Sequence, residues 1–121
     1  MEFLAQERQT LERYMPGLDC SLAKIPLLEL EKRGNPGLAM FREANGPALL
    51  ITKACRGMGA TALEAIQIQR AIATRSPSLA VATTMHHFSV ATILEMSLLG
   101  SGMESLLLEA IAEQHLLVAS G

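Results

Sequence analysis

Between Leu79 and Leu99 the chain carries no Lys, Arg or Asp and a single glutamate, Glu95. This stretch constrains the fold more than any other. It is bracketed by helix signals: Ser76 as an N-cap with Pro77 at the first helical position, and Gly100 as a residue suited to follow a helix end. A membrane span needs about 20 apolar residues. Here Thr83, Thr84, His86, His87, Ser89, Thr92, Glu95 and Ser97 interrupt the run. Two adjacent imidazoles and a carboxylate are costly in lipid. The stretch therefore predicts the central helix of a globular domain, buried on most sides, with no membrane span.

The remaining sequence predicts more helices around it. Phe3, Leu4, Leu11 and Met15 recur at helical spacing, and Pro16-Gly17 ends that segment. Asp19 is placed to cap a second helix from Cys20 to Lys32. Pro26 lies inside that helix and must kink or split it, since proline lacks the N–H and clashes with the preceding turn. A short helix from Pro36 to Ala44 would turn Leu38, Phe41 and Met40 inward. Ala48 to Thr52 is apolar but too short to assign by periodicity. Arg56-Gly57-Met58-Gly59 reads as a turn needing positive φ.

Thr61-Ala62-Leu63-Glu64 has the capping-box pattern and predicts a helix to about Thr74, with Leu63, Ile66, Ile68 and Ile72 as its apolar surface. Ser101 and Glu104 repeat that pattern before a last helix from Gly102 to Gln114. With 121 residues, one domain is the natural count. Aromatics make up 3%, so aliphatic side chains must fill the core. The fold expected is all-α, an orthogonal or up-down bundle of about six helices.

Charge and motifs exclude more than they assign. The net charge is −2 with no basic stripe, which argues against nucleic-acid binding. The opening MEFLAQERQT lacks the apolar run of a signal peptide. Cys20 and Cys55 form no CxxC pair, and a reduced, cytoplasmic setting is the expectation. Neighbouring helical residues point about 100° apart, so His86 and His87 cannot jointly chelate one metal ion, and no ligand lies at the required offsets. No metal is expected. The Arg56–Gly59 loop lacks the frame of a dinucleotide-binding turn, and no serine sits in a nucleophile elbow.

Gly34 to Gly121 resembles the N-terminal helical domain of the acyl-CoA dehydrogenase family, particularly its bacterial members. The resemblance rests on ordered pieces: Phe41-Arg42-Glu43-Ala44-Asn45-Gly46 followed by Ala48-Leu49-Leu50-Ile51; Gly57-Met58-Gly59-Ala60; Leu63-Glu64-Ala65 to Arg70-Ala71-Ile72-Ala73; Ser76-Pro77-Ser78-Leu79-Ala80-Val81, then Thr83-Thr84-Met85-His86-His87-Phe88; and Gly100-Ser101-Gly102. The family's aromatic-Gly-Gly loop start is here Ala54-Cys55-Arg56-Gly57.

The resemblance implies an FAD-dependent oxidoreductase acting on acyl-CoA or another acyl thioester, with the flavin and the catalytic carboxylate held mainly in domains beyond this one. It implies one helical domain over 1–121, with 116–121 beginning a strand of a middle domain. It implies no catalytic residue in this chain and inactivity alone. It places Thr83, Thr84 and His87 on the acyl-pocket wall and Ser120 at the cofactor. Homo-oligomerisation or docking to flavin-bearing domains would cover the apolar surface. The alternative is a free-standing helical module, or a split subunit that docks onto a flavin-bearing partner. A small-ligand carrier using a cavity near His87 is a further possibility.

Overall fold

The structure is a computed structural model, and it describes residues 4–98, 100 and 102–118. The chain is all-helical, with no strand among the described residues. Its α-helices are α1 (Ala5–Tyr14), α2 (Leu18–Ala23), α3 (Leu27–Leu30), α4 (Gly37–Glu43), α5 (Ala62–Arg75), α6 (Pro77–Ser97) and α7 (Met103–Gln114). Two 3-10 turns, Gly46–Ala48 and Lys53–Cys55, lie between α4 and α5.

The predicted second helix is split. Pro26 becomes the cap of α3, its carbonyl accepting from the N–H groups of Glu29 and Leu30. Asp19 does not cap α2. Gly17, at φ 85, makes the turn, so the helix begins at Leu18 and Asp19 falls in its first turn. A carboxylate there complements the helix dipole. Its oxygens also accept from Arg75 Nε at 2.9 Å and Nη2 at 3.3 Å, tying α2 to the end of α5.

In α4, Phe41 is fully buried and Met40 half-buried, but Leu38 is exposed, contrary to the inward face predicted for it. The unassigned 48–52 piece folds against the glycine loop. Ala48, Leu49 and Ile51 carbonyls accept from the N–H groups of Met58, Ala60 and Gly59. Arg56 takes the left-handed conformation, at φ 69, as does Gly59.

Both predicted caps around α5 and α6 form. Thr61 and Glu64 close a reciprocal capping box, and Ser76 Oγ accepts from the Leu79 N–H. Helix α6 ends at Ser97, ahead of Gly100, with Leu98 as its cap. Ser101, predicted to cap the last helix, lies outside the described residues, and Gly102 at φ 101 immediately precedes α7.

Two clusters make up the core. The larger joins α1, α2, α4, α5 and the first turn of α6, with Leu11, Phe41, Ile68 and Ile72 at full burial. The smaller joins Ala48, Ile51, Val90, Leu108 and Ile111. Helix α6 bridges the two, contributing Leu79 and Ala80 to one and Val90 to the other.

Contrary to the prediction for it, α6 is not buried on most sides. Leu79, Ala80, Thr83, His86, His87 and Val90 form one buried face. Val81, Met85 and Phe88 lie on the other, with Phe88 71% exposed. No described helix is long and apolar enough to cross a membrane.

Candidate functional site

Helices α5 and α6 are antiparallel neighbours joined at Ser76, and an open groove of about 610 Å³ runs along them. Periodicity explains its walls. Helix α5 is apolar on two sides: Ile68 and Ile72 enter the core, while Ile66 faces out. Helix α6 repeats the arrangement, with Val81, Met85 and Phe88 spaced one turn apart on its open side. Ala65, Ala73 and Ala80 keep the floor low between them.

The polar groups of the groove cluster around Gln69 on α5. Thr84 Oγ1 donates to the Ala80 carbonyl at 2.7 Å, and Thr83 Oγ1 donates to the Leu79 carbonyl at 2.9 Å. With their protons committed one turn back, both hydroxyls meet Gln69 as acceptors. Gln69 Nε2 donates toward Thr84 Oγ1 at 2.8 Å and lies 3.0 Å from both Thr83 Oγ1 and the Ala80 carbonyl. Three acceptors around this one atom assign it as the amide nitrogen. The amide oxygen, Gln69 Oε1, is then buried without a hydrogen-bond partner among the described residues.

His87 lies one turn further along α6. It is 6% exposed, and neither ring nitrogen has a partner among the described residues. Its ring stands edge-on to Phe41, 5.8 Å between centroids, and to His86, 5.5 Å. Gly46 gives Phe41 its place, since a Cβ there would fall 2.4 Å from the ring. Burial, then the neighbouring His86, pushes the His87 pKa down to about 4, so the ring is neutral near pH 7.

His86 points the other way, into the core. Its Nε2 lies 2.8 Å from the Pro47 carbonyl and its Nδ1 accepts from the Val118 N–H at 3.0 Å. Burial lowers its pKa also, against the raising effect of the Pro47 bond. The two adjacent histidines share the buried face of α6 but differ in surroundings, His86 bonded within the core and His87 beside the groove.

Of the site residues named from sequence, Thr84 and His87 line this groove. Thr83 is fully buried beneath Gln69. Ser120 lies outside the described residues. Sequence reasoning missed Gln69 and Ile66. Nothing in a polar residue on an amphipathic helix marks it as groove-facing before the helix pair is assembled. Among the described residues no three His, Cys, Asp or Glu side chains converge as a metal site, and Cys20 and Cys55 are free thiols. The groove's one cationic wall residue, Arg70, reaches Glu7 at 3.3 Å.

The chain is similar to isobutylamine N-hydroxylase of Streptomyces viridifaciens, with 40% identity over 124 aligned positions. That alignment covers all of this chain and 33% of the hydroxylase, so the chain spans a third of the length of the curated relative it matches. By its name that relative oxidises isobutylamine at nitrogen. No protein-family model matches the chain, and no solved structure does.

Proposed function

We propose that this chain is the N-terminal helical portion of an FAD-dependent oxidoreductase built like an acyl-CoA dehydrogenase, and that the α5–α6 groove forms one wall of its substrate pocket. The observation that carries the reading is an open apolar groove with a neutral imidazole at its base, in a chain that aligns from end to end with a third of an amine hydroxylase. Ile66, Met85 and Phe88 would line the apolar part of the substrate, and Thr84 and His87 its polar end.

A groove of about 610 Å³ is within the range that buries a ligand of drug size. That room suits a small aliphatic substrate together with the apolar face of a cofactor ring. A flavin diphosphate calls for backbone N–H donors or clustered cations, and the groove lining offers Arg70, which is already at Glu7. The diphosphate would therefore be held by other parts of the enzyme, with Ser120 at its edge. FAD would supply the redox chemistry, and this portion would bind, orient and shield the substrate. Such an enzyme would work in the cytoplasm. The relative's name moves the substrate class away from the acyl thioester and toward a short aliphatic amine.

The test is a chimera in which this chain replaces the matching third of isobutylamine N-hydroxylase. The reading expects flavin-dependent N-hydroxylation of isobutylamine by the chimera and none by the 121-residue chain alone. A folded but inert chimera, or turnover by the isolated chain, would overturn it.

The exposed row Val81, Met85 and Phe88 also favours a second reading, a separate subunit that docks onto a flavin-bearing partner. Light scattering coupled to size exclusion separates the two. A clean monomer with little dye-accessible apolar surface counts against docking.

A further inference from the structure

We infer that the outer face of α7 is a docking surface for a helix of a partner protein, one whose apolar seam is flanked by Lys and Arg. This goes beyond the pocket reading and involves a separate face, since no residue of α7 lines the α5–α6 groove.

Helix α7 is apolar on two sides. Leu108, Ile111 and Ala112 enter the smaller core cluster. Met103, Leu106, Leu107 and Ala110 recur at offsets of three, four and seven, which stacks them along the far side. Met103 is 69% exposed and Leu106 62%; Leu107 is exposed as well and Ala110 half-buried. At the end of α6 that leads into this helix, Met96 and Leu98 leave further apolar surface in water. A helix that is apolar nearly all round is ordinarily buried all round. The offsets of the exposed row are those by which one helix anchors another.

Charge chooses the occupant. All ten Lys and Arg lie at or before Arg75. From Ser76 onward the chain has four glutamates, Glu95, Glu104, Glu109 and Glu113, and neither Lys nor Arg. Glu109 and Glu113, one turn apart, run beside Leu106 on the α7 surface. On its inner side α7 draws cations from the first half of the chain: Arg56 pairs with Glu113, and Arg42 Nε donates to the His115 carbonyl at 2.8 Å. Glu95 and Glu109 have no ion pair among the described residues.

A second copy would bring the same cation-free face and set carboxylate against carboxylate. Anionic headgroups of a lipid surface would be repelled in the same way. A helix with Lys or Arg beside its apolar residues answers both features: its seam covers Met103, Leu106 and Leu107, and its cations meet the acidic rim and steer the encounter.

The experiment titrates the methyl-labelled, full 121-residue chain with helical peptides and follows its Met, Leu and Ile methyl signals by NMR. The peptides have about 15 residues, enough for a marginal helix. One has a leucine seam with Lys flanks, one the same seam with Glu flanks, and one the Lys composition with its leucines scattered. The Lys-flanked peptide should move Met103, Leu106 and Leu107 saturably and leave Ile66 and Met85 of the groove in place. The Glu-flanked peptide should bind at least about fivefold more weakly, the effect of two exposed ion pairs. The scattered peptide should bind about tenfold more weakly, the effect of one leucine left unburied. Glu109→Gln, or added salt, should shrink the preference for Lys over Glu.

Equal binding of the Lys- and Glu-flanked peptides, movement confined to Ile66 and Met85, or no saturable movement overturns the proposal, and all three are read on the unaltered chain. Shifts of Met103, Leu106 and Leu107 with chain concentration alone would assign the face to a second copy and overturn it too. The outcome is separable from the chimera test. An inert chimera leaves a selective α7 face standing, and an indifferent α7 leaves the pocket reading intact.

Discussion

The backbone N–H of Val118 donates to His86 Nδ1 at 3.0 Å, and this bond decides where the histidine keeps its proton. With Nδ1 accepting, Nε2 must carry the hydrogen it gives to the Pro47 carbonyl at 2.8 Å. One neutral imidazole thus pins the chain after α7 to the turn before Leu49. Protonation would turn Nδ1 into a donor facing another donor.

Stability should therefore fall in acid. Burial lowers the pKa of both histidines, His87 to about 4. The unfolded chain, with ordinary histidine pKa values near 6.5, takes up protons first as pH drops. The stabilisation is present above about pH 6.5 and is lost as pH falls toward the folded values. For His87 the difference between about 6.5 and about 4 amounts to roughly 3 kcal/mol at most. Urea midpoints at pH 7.5 and 4.5 check this, and His87→Leu should flatten the dependence. Equal midpoints in the parent chain would contradict it.

Thr61→Ala should cost about 1 kcal/mol, the usual price of an N-cap. Thr61 Oγ1 accepts from the Glu64 N–H at 3.1 Å, and Glu64 Oε1 accepts from the Thr61 N–H at 2.9 Å. The same carboxylate accepts from Tyr14 Oη at 2.8 Å, so the cap also links α5 to α1. Thermal melting should show a fall of roughly 4 °C. An unchanged melting temperature would mean that the box adds nothing to the folded state.

The caps and the groove differ in how far the sequence discloses them. Thr61–Glu64 and Ser76-Pro77 are local patterns whose geometry is set within four residues, and both form where the sequence predicts. Asp19 is equally local in appearance, yet Gly17 starts the helix first and Arg75, 56 positions away, takes the carboxylate. Leu63, Ile66, Ile68 and Ile72 all look like core in a one-dimensional pattern. The packing of α1 and α2 on one side of α5 buries Ile68, while Ile66 on the side toward α6 becomes groove wall. Thr83 and Thr84 divide for the same reason, since one step along a helix is 100° of rotation. The resemblance singled out His87, and the structure places it beside the groove. Gln69 had no signal because its meaning comes from two hydroxyls on another helix.

Gly57 and Arg56 make a paired test of the loop before α5. A Cβ on Gly57 would fall 2.1 Å from the Ile51 carbonyl oxygen, a backbone atom that cannot step aside. Gly57→Ala should destabilise by about 1–3 kcal/mol, as overpacking does. Arg56 holds φ 69, where a glycine would sit without strain, but its guanidinium pairs with Glu113 on α7. That pair is solvent-exposed and contributes little, so Arg56→Gly should leave stability equal or raise it by up to about 1 kcal/mol. Chemical denaturation of the two variants reads both signs. A destabilised Arg56→Gly would show that the ion pair outweighs the backbone strain.

Phe88 gives the sharpest separation of groove from core. Its ring is 71% exposed on the open side of α6, two turns from Val81 on the same row. A side chain so exposed stabilises the fold little by burial, since the hydrophobic gain follows the area removed from water. Phe88→Ser should therefore shift the unfolding free energy by no more than about 0.5 kcal/mol. Its effect belongs to whatever covers the groove. Fluorescence of an apolar dye on the isolated chain should drop, because the largest ring of the exposed row has gone. Phe41→Ala is the contrasting variant. That ring is fully buried against His87 and should cost about 3–5 kcal/mol. If Phe88→Ser destabilised as much as Phe41→Ala, α6 would have to pack its outer face against something in the isolated chain, and the groove would not be open.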